Sequence, residues 1–258
     1  MNLKLVAAAV CFVPALAMAE TAPTQEKPLF TASAELGFLY KTGNTKSGDI
    51  KTGFDIKFEK DLWLSLLAFD LLVKKTEQAD ENGDMSLETS DQKWSVDSKT
   101  NYKLDTKSKN YAYGNIRYEE NRFSGFESQG SVSVGWGRHW YKTDKASLFA
   151  DIGPGFKSDV TRATDTGPSE TKNSAIVQAQ ALYLRQINEH VEFKQSLSAK
   201  YAVKSGENST YSAESSITTK LIETLQLKFS FKIDHNTDVA EESKNTDTQT
   251  AVTIVYSF

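Results

Sequence analysis

Apolar and polar residues alternate along most of this chain, with the period of a strand that has one apolar and one polar face. The pattern is cleanest in the last third. Val191, Phe193, Leu197, Ala199, Tyr201 and Val203 interleave with Glu192, Lys194, Ser196, Ser198 and Lys200. Tyr211, Ala213, Ile217 and Leu221 interleave with Ser212, Glu214, Ser216 and Lys220. Leu225, Leu227, Phe229, Phe231 and Ile233 oppose Gln226, Lys228, Ser230, Lys232 and Asp234, and Val252, Ile254, Tyr256 and Phe258 share a final face. The front half follows the same rule. Phe30, Ala32, Ala34, Leu36, Phe38 and Tyr40 lie on one face. Ile50, Phe54, Ile56 and Phe58 oppose Lys51, Asp55, Lys57 and Glu59, while Trp94, Val96, Tyr102 and Leu104 oppose Lys93, Asp97, Lys99 and Lys103. Two stretches blur it. Residues 62–76 are apolar on both parities, and the shift from Tyr111 and Tyr113 to Ile116 and Tyr118 predicts a bulge within 109–120. Further strands fit 130–141, 146–158 and 174–187.

The connections sharpen the picture. Tight polar turns fall near 59–61, 105–108, 142–145, 188–190 and 222–224, and longer polar links at 77–90, 160–172 and 236–246. Links near 42–47 and 205–209 are short. Short and long connections alternate as they do when periplasmic turns are tight and extracellular loops are free to grow. The pattern predicts an all-β fold: a transmembrane, antiparallel, up-and-down β-barrel of about twelve strands over residues 30–258. With strand directions assigned this way, Phe30, Phe58, Trp63, Tyr102, Tyr111, Trp140, Tyr256 and Phe258 fall at periplasmic strand ends. Phe38, Tyr40, Trp94, Tyr118, Tyr201 and Tyr211 fall toward the outer ends, so that two aromatic girdles bracket an aliphatic band.

The start of the chain reads as an export signal. Lys4 supplies a positive region, Leu5 to Leu16 an apolar run too short to cross a bilayer, and Ala17-Met18-Ala19 a cleavage site. Residues 1–19 are thus expected to be a cleaved signal peptide, residues 20–29 a periplasmic leader, and the location the bacterial outer membrane. Cys11, the only cysteine, lies in the signal, so the mature chain has no disulfide, cysteine ligand or thiol nucleophile. A net charge of −4 excludes a broadly basic nucleic-acid binder.

Two segments carry a family resemblance. Thr253-Ile254-Val255-Tyr256-Ser257-Phe258 resembles the C-terminal assembly signal of bacterial outer-membrane barrels. Gly37-Phe38-Leu39-Tyr40-Lys41-Thr42-Gly43-Asn44-Thr45-Lys46-Ser47 resembles the opening hairpin of the YdiY-like, salt-induced outer-membrane protein family. The resemblance implies a barrel in the outer membrane, a link to salt or osmotic response, and assembly by the barrel-assembly machinery through the strand ending at Phe258. Outer-membrane lipid and lipopolysaccharide are the partners such a location implies. No catalytic or binding residues carry over.

Function then turns on the inward face. By parity it carries Lys51, Lys57, Lys93, Lys99, Lys103, Arg117, Lys194, Lys200, Lys204, Lys220, Lys228 and Lys232 against Glu35, Asp55, Glu59, Asp97, Glu119, Glu192, Glu214 and Asp234. A basic excess in a narrow lumen favours anions, which points to a porin-like, mildly anion-preferring pore. The same side chains could instead interlock and close the barrel, giving a structural or surface-interaction protein. A hydrolase would need a nucleophile and base in reach. His139 has inward parity, but His190 lies in a turn, His235 starts a loop, and no Gly-x-Ser-x-Gly elbow occurs, so no enzyme is expected. The acidic groups Asp80, Glu81 and Asp84, and Asp238, Glu241, Glu242 and Asp247, match no EF-hand spacing, and the glycines at 125–155 precede no helix. No metal or cofactor is expected.

Overall fold

A computed structural model describes residues 29–41, 47–79, 85–104, 109–122, 126–163, 168–239 and 245–258. The expected signal peptide, the leader apart from Leu29, the Thr42-Gly43-Asn44-Thr45 turn, and Asp80, Glu81, Asp84, Glu241 and Glu242 lie outside the described residues. Twelve strands are present among those described: β1 (Phe30–Lys41), β2 (Ser47–Lys60), β3 (Trp63–Ala79), β4 (Met85–Lys103), β5 (Asn110–Asn121), β6 (Phe126–Lys142), β7 (Ala146–Thr161), β8 (Thr171–Gln186), β9 (Val191–Ala202), β10 (Thr210–Lys220), β11 (Leu225–Asn236) and β12 (Thr246–Ser257). Each pairs antiparallel with its sequence neighbours, and β12 returns to β1, so the sheet closes as an up-and-down barrel. Closure removes the exposed edges that an open sheet would leave.

The seams differ in extent. β1 and β2 run in register from Phe30↔Phe58 to Lys41↔Ser47. The closing seam runs only from Ser33↔Ser257 to Leu36↔Ile254, with one more bond from Phe258 N–H to the Ala32 carbonyl at 2.9 Å.

The strands leave two unlike rims. One carries the tight connections at 61–62, 104–109, 143–145, 187–190 and 221–224 (the turn rim). The other carries the remaining links (the loop rim). The expected loop at 77–90 is mostly strand, because β3 runs to Ala79 and β4 starts at Met85. Asp247, expected in an outer loop, lies within β12 and pairs in register with Asp234.

The alternation is realised as predicted. Leu36, Phe38, Phe54, Val134, Phe156, Leu197, Phe229 and Ile254 point outward and are exposed, while most inward positions are polar, Leu64, Leu66, Leu72 and Ile176 among the exceptions. A barrel with an apolar exterior and a polar interior is the transmembrane arrangement. The girdles form in part: Trp63 packs on Tyr102 with ring centroids 4.8 Å apart, Tyr256 on Phe258 at 4.8 Å, and Trp94 on Tyr118 at 5.3 Å. The Tyr40 side chain lies outside those described.

Tyr111 departs from its expected place. It is buried inside the barrel, as is Tyr113, and β5 contains no bulge. The parity shift has a different cause: both tyrosines share the inner face with Asn115, Arg117 and Glu119, and their rings lie over glycines of β6. A Cβ on Gly135 would stand 2.8 Å from Tyr113 Cε1, and one on Gly137 would collide with the Tyr111 ring. Glycine here permits close approach. The register shifts fall elsewhere, between Lys74 and Lys75, Phe126 and Ser128, and His139 and Tyr141.

Candidate functional site: the barrel lumen

Strand parity sends every other side chain inward, so the lumen is lined by ladder rows of polar groups. Near the loop rim, the 203–209 turn folds in over the opening. Gly206, at φ 85°, makes the reversal that lets it do so. Asn208 and Ser209 are consequently buried. The Asn208 side-chain amide donates to Asp159 of β7 at 3.2 Å and to Asn236 of β11 at 3.0 Å, and the main-chain carbonyl of Asn208 accepts from Lys157 Nζ at 2.6 Å. Lys157 also pairs with Asp159 at 2.6 Å, and Gln129 of β6 donates to Asp159 at 3.0 Å and to Asn236 at 3.4 Å. Asn208 Oδ1 accepts the Asp238 N–H at 3.2 Å, which saturates this amide. The end of the short link near 205–209 is therefore tied down inside the loop-rim opening, as a partial lid.

Below the lid, charges interlock. Lys93 pairs with Glu119 at 3.0 Å and Asp234 at 3.2 Å; Arg117 pairs with Glu119 at 2.7 Å and Asp97 at 3.4 Å. Lys232 joins Asp234 at 3.0 Å. Glu35 takes Lys51 at 3.2 Å and Lys228 at 2.9 Å, and Lys228 reaches Glu214 at 4.0 Å. Gln178 of β8 donates to Asn115 of β5 at 3.1 Å, and Lys200 of β9 to Ser131 of β6 at 2.8 Å.

Toward the turn rim, Lys99 of β4 meets Asp151 of β7 at 2.5 Å and Gln180 of β8 at 2.7 Å. The Tyr111 hydroxyl donates to the same carboxylate at 3.0 Å, and the Lys99 ammonium stands 4.9 Å over the Tyr113 ring. Glu59 links Lys57 at 3.0 Å to Lys103 at 3.2 Å.

Space remains between these layers. A cavity of about 210 Å³ is lined by Asp70, Asp97, Arg117, Glu119, Lys200, Glu214, Lys232 and Asp234 among others. A vestibule of about 690 Å³ opens toward the turn rim and takes in Lys57, Lys99, Lys194, Asp55, Leu66, Phe149 and Leu182. Asp97, Arg117, Gln180, Ser196 and Ser198 line both, so Arg117 stands at the neck.

All fourteen candidate lining residues, Lys51, Lys57, Lys93, Lys99, Lys103, Arg117, Lys194, Lys200, Lys220, Lys228, Lys232, Glu119, Glu192 and Glu214, occupy inward ladder positions. The structure draws most of them into shared networks. Lys194 lines the vestibule, Lys220 is exposed at the turn rim, and Glu192 has inward parity beside Gln186. Lys204, also expected inward, is not: it sits in the 203–209 turn with its side chain 80% exposed. Parity reading missed Asp49, Asp70, Asp151, Asp159 and Asp247, together with Lys74 and Lys157, all on inward positions. Lys172 also has inward register, opposite Asp159, so among the described residues these carboxylates nearly cancel the basic excess of the lumen. The vestibule wall carries Lys57, Lys99, Arg117 and Lys194 with Asp55 and Asp97, and three of these cations are held by carboxylates beside it: Lys57 by Glu59, Lys99 by Asp151 and Arg117 by Glu119.

His139 is inward as expected. Its ring lies 5.5 Å from those of Tyr111 and Phe149, and its Nδ1 has no hydrogen-bond partner among the described residues. Packing of this kind makes it an aromatic spacer. Asp238 pairs with Lys172 at 3.3 Å.

The family model described as "Protein of unknown function, DUF481" matches residues 34–258. An uncharacterized Escherichia coli protein, YdiY, is 23% identical over 236 residues, covering 91% of this chain and 86% of that protein. Among solved structures, the translocator domain of the autotransporter NalP from Neisseria meningitidis is 10% identical, covers 91% of this chain and 90% of that one, and has a TM-score of 0.49. An outer membrane channel from Pseudomonas putida is 7% identical, covers 93% and 100%, and also has a TM-score of 0.49.

Proposed function

This chain belongs to the DUF481 family, and from its barrel we propose a narrow outer-membrane pore for small polar solutes, mildly anion-preferring at its periplasmic mouth and partly closed outside by the 203–209 lid. The turn rim is then periplasmic and the loop rim faces outward. The observation that carries this reading is the vestibule of about 690 Å³ meeting the inner cavity at Arg117, with Lys57, Lys99 and Lys194 along its wall. Rings of basic groups at a constriction favour anions, and the compensating carboxylates deeper in the lumen keep the preference mild.

A second reading has its own support. Lys93–Asp234 and Gln129–Asn236 cross the lumen directly, and a lattice of that kind suits a barrel that holds shape without transporting. Single-channel recording in planar bilayers separates the two. The pore reading expects small, infrequent conductance in the native protein, larger conductance in Asn208→Ala, and a weak anion-side reversal potential across a KCl gradient. Silence in both proteins favours the structural barrel, and clear cation selectivity removes the anion preference. The location has its own test: fractionation should place the protein in the outer membrane with heat-modifiable migration on gels. A link to salt stress, implied by the family resemblance, predicts altered growth of a deletion strain at high salt. Recognition of the Phe258 strand by the assembly machinery predicts that deleting Phe258 lowers the folded yield.

A further inference from the structure

The lipid-facing surface between β6 and β11 is concave. Ala213, Ala199, Ala181, Ala179 and Ala150 floor a trough of about 640 Å³. The register explains its course. Tyr211, Ala199, Ala179, Ile152 and Trp136 are successive partners across β10, β9, β8, β7 and β6, and Ala213, Leu197, Ala181, Ala150 and Arg138 form the next outward row. Rows lie across the strands at about 4.8 Å per strand, so a five-strand row is about 19 Å long. The strands tilt, and the row descends obliquely, from near the loop-rim start of β10 to near the turn-rim end of β6. At its upper end stand Tyr211 and His235, and at its lower end Trp136 and Trp140.

A second feature sets a charged group beside the trough, next in register to Ala150. Arg138 closes the alanine row, faces outward, and holds its guanidinium 5.7 Å from the Trp140 ring. No carboxylate pairs with it among the described residues. An unpaired guanidinium on the lipid face is tolerated only near the headgroup level, and its fork geometry suits a phosphate.

We propose that this trough binds one phospholipid of the periplasmic leaflet, with its phosphate on Arg138 and an acyl chain along the alanine floor. The proposal rests on the outer-membrane reading above. Small side chains leave room for a chain that flanking Trp and Tyr rings would hold at both ends; the polar residues that edge the lining, Asp151, Gln180, Ser198 and Ser212, have inward register.

Native mass spectrometry of the full barrel, released from vesicles of phosphatidylethanolamine and phosphatidylglycerol, tests it. The native protein is expected to retain a single phospholipid. Ala181→Trp, which fills the floor, should abolish retention; Ala181→Leu serves if the larger side chain prevents folding, and should lower it. Arg138→Gln should weaken retention about tenfold, since a charge-assisted contact is lost. Heat-modifiable migration confirms an intact barrel in each case. An intact barrel that carries no lipid, or equal retention in Ala181→Trp and the native protein, overturns the trough alone. So does cross-linking of two copies through a cysteine at 181. Recovery of the native protein in a soluble extract overturns the membrane reading with it.

Discussion

Lys93 of β4 donates to Asp234 of β11 at 3.2 Å, although β3, β2, β1 and β12 stand between them around the ring. Two distant arcs of one sheet are therefore tied together by a charge pair through the middle of the barrel. Lys93→Ala leaves Asp234 with Lys232 and Glu119 with Arg117, so neither carboxylate is stranded. The expected loss is about 1–3 kcal/mol, below that of a pair broken without substitutes. Urea titration of the barrel in vesicles, read by the gel shift of the folded form, measures it.

The Lys99–Asp151 pair has less help. Asp151 is almost fully buried, and beyond Lys99 it keeps only the Tyr111 hydroxyl on the same oxygen. Lys99→Met should thus cost about 3–5 kcal/mol. The double variant Lys99→Met, Asp151→Leu removes the stranded charge and should recover most of that loss. A double variant as unstable as the single one would show that the carboxylate's burial is not the cause.

At Gly137, the Tyr111 ring occupies the place of a side chain. Gly137→Ala is expected to destabilise by about 1–3 kcal/mol, the usual cost of overpacking. Tyr111→Leu in the same background should relieve it. Gly114 provides the control: nothing lies near its absent Cβ, so Gly114→Ala should be close to neutral by the same titration.

The Trp63–Tyr102 pair sits at the turn rim on the outer face. Replacing either ring with Ala should lower stability in vesicles by about 1 kcal/mol or more, through lost pairing and lost interfacial anchoring. Refolding into bilayers should slow as well.

The sequence displayed the barrel because outward positions meet lipid and inward positions meet water, and that contrast is strictly periodic. After residue 190 parity alone gave the faces of all four strands, missing only the outer start of β12 at Asp247 and the turn position of Lys204. It was harder to read where the inner face turns apolar or aromatic. Leu64, Leu66 and Leu72 point inward from β3, opposite Glu59, Lys57 and Lys51, and so erase the contrast that parity depends on. Tyr111 looked like a girdle residue because an aromatic on a strand has the same local signature on either face. The lining lysines were legible one by one, but their partners were not. Asp151 and Asp159 flank the Gly153-Pro154-Gly155 run of β7, which interrupts the alternation that would mark a face, and Lys93 finds Asp234 only because the sheet closes. Asn208 gave no signal at all, for a five-residue polar link looks the same whether it waves in solvent or folds inward.

The closing seam has a kinetic meaning. Every other seam joins strands adjacent in sequence, so each can form as a local hairpin soon after its two strands meet. The first and last strands must find each other after all the rest, and their register spans only Ser33↔Ser257 to Leu36↔Ile254. Long-range pairing of this sort carries the largest entropic barrier in the fold and returns the fewest hydrogen bonds. The closing pairing is therefore expected to be the slowest step of folding and the least securely fastened, and the same short zipper the first to part in a mature barrel under mechanical or thermal load.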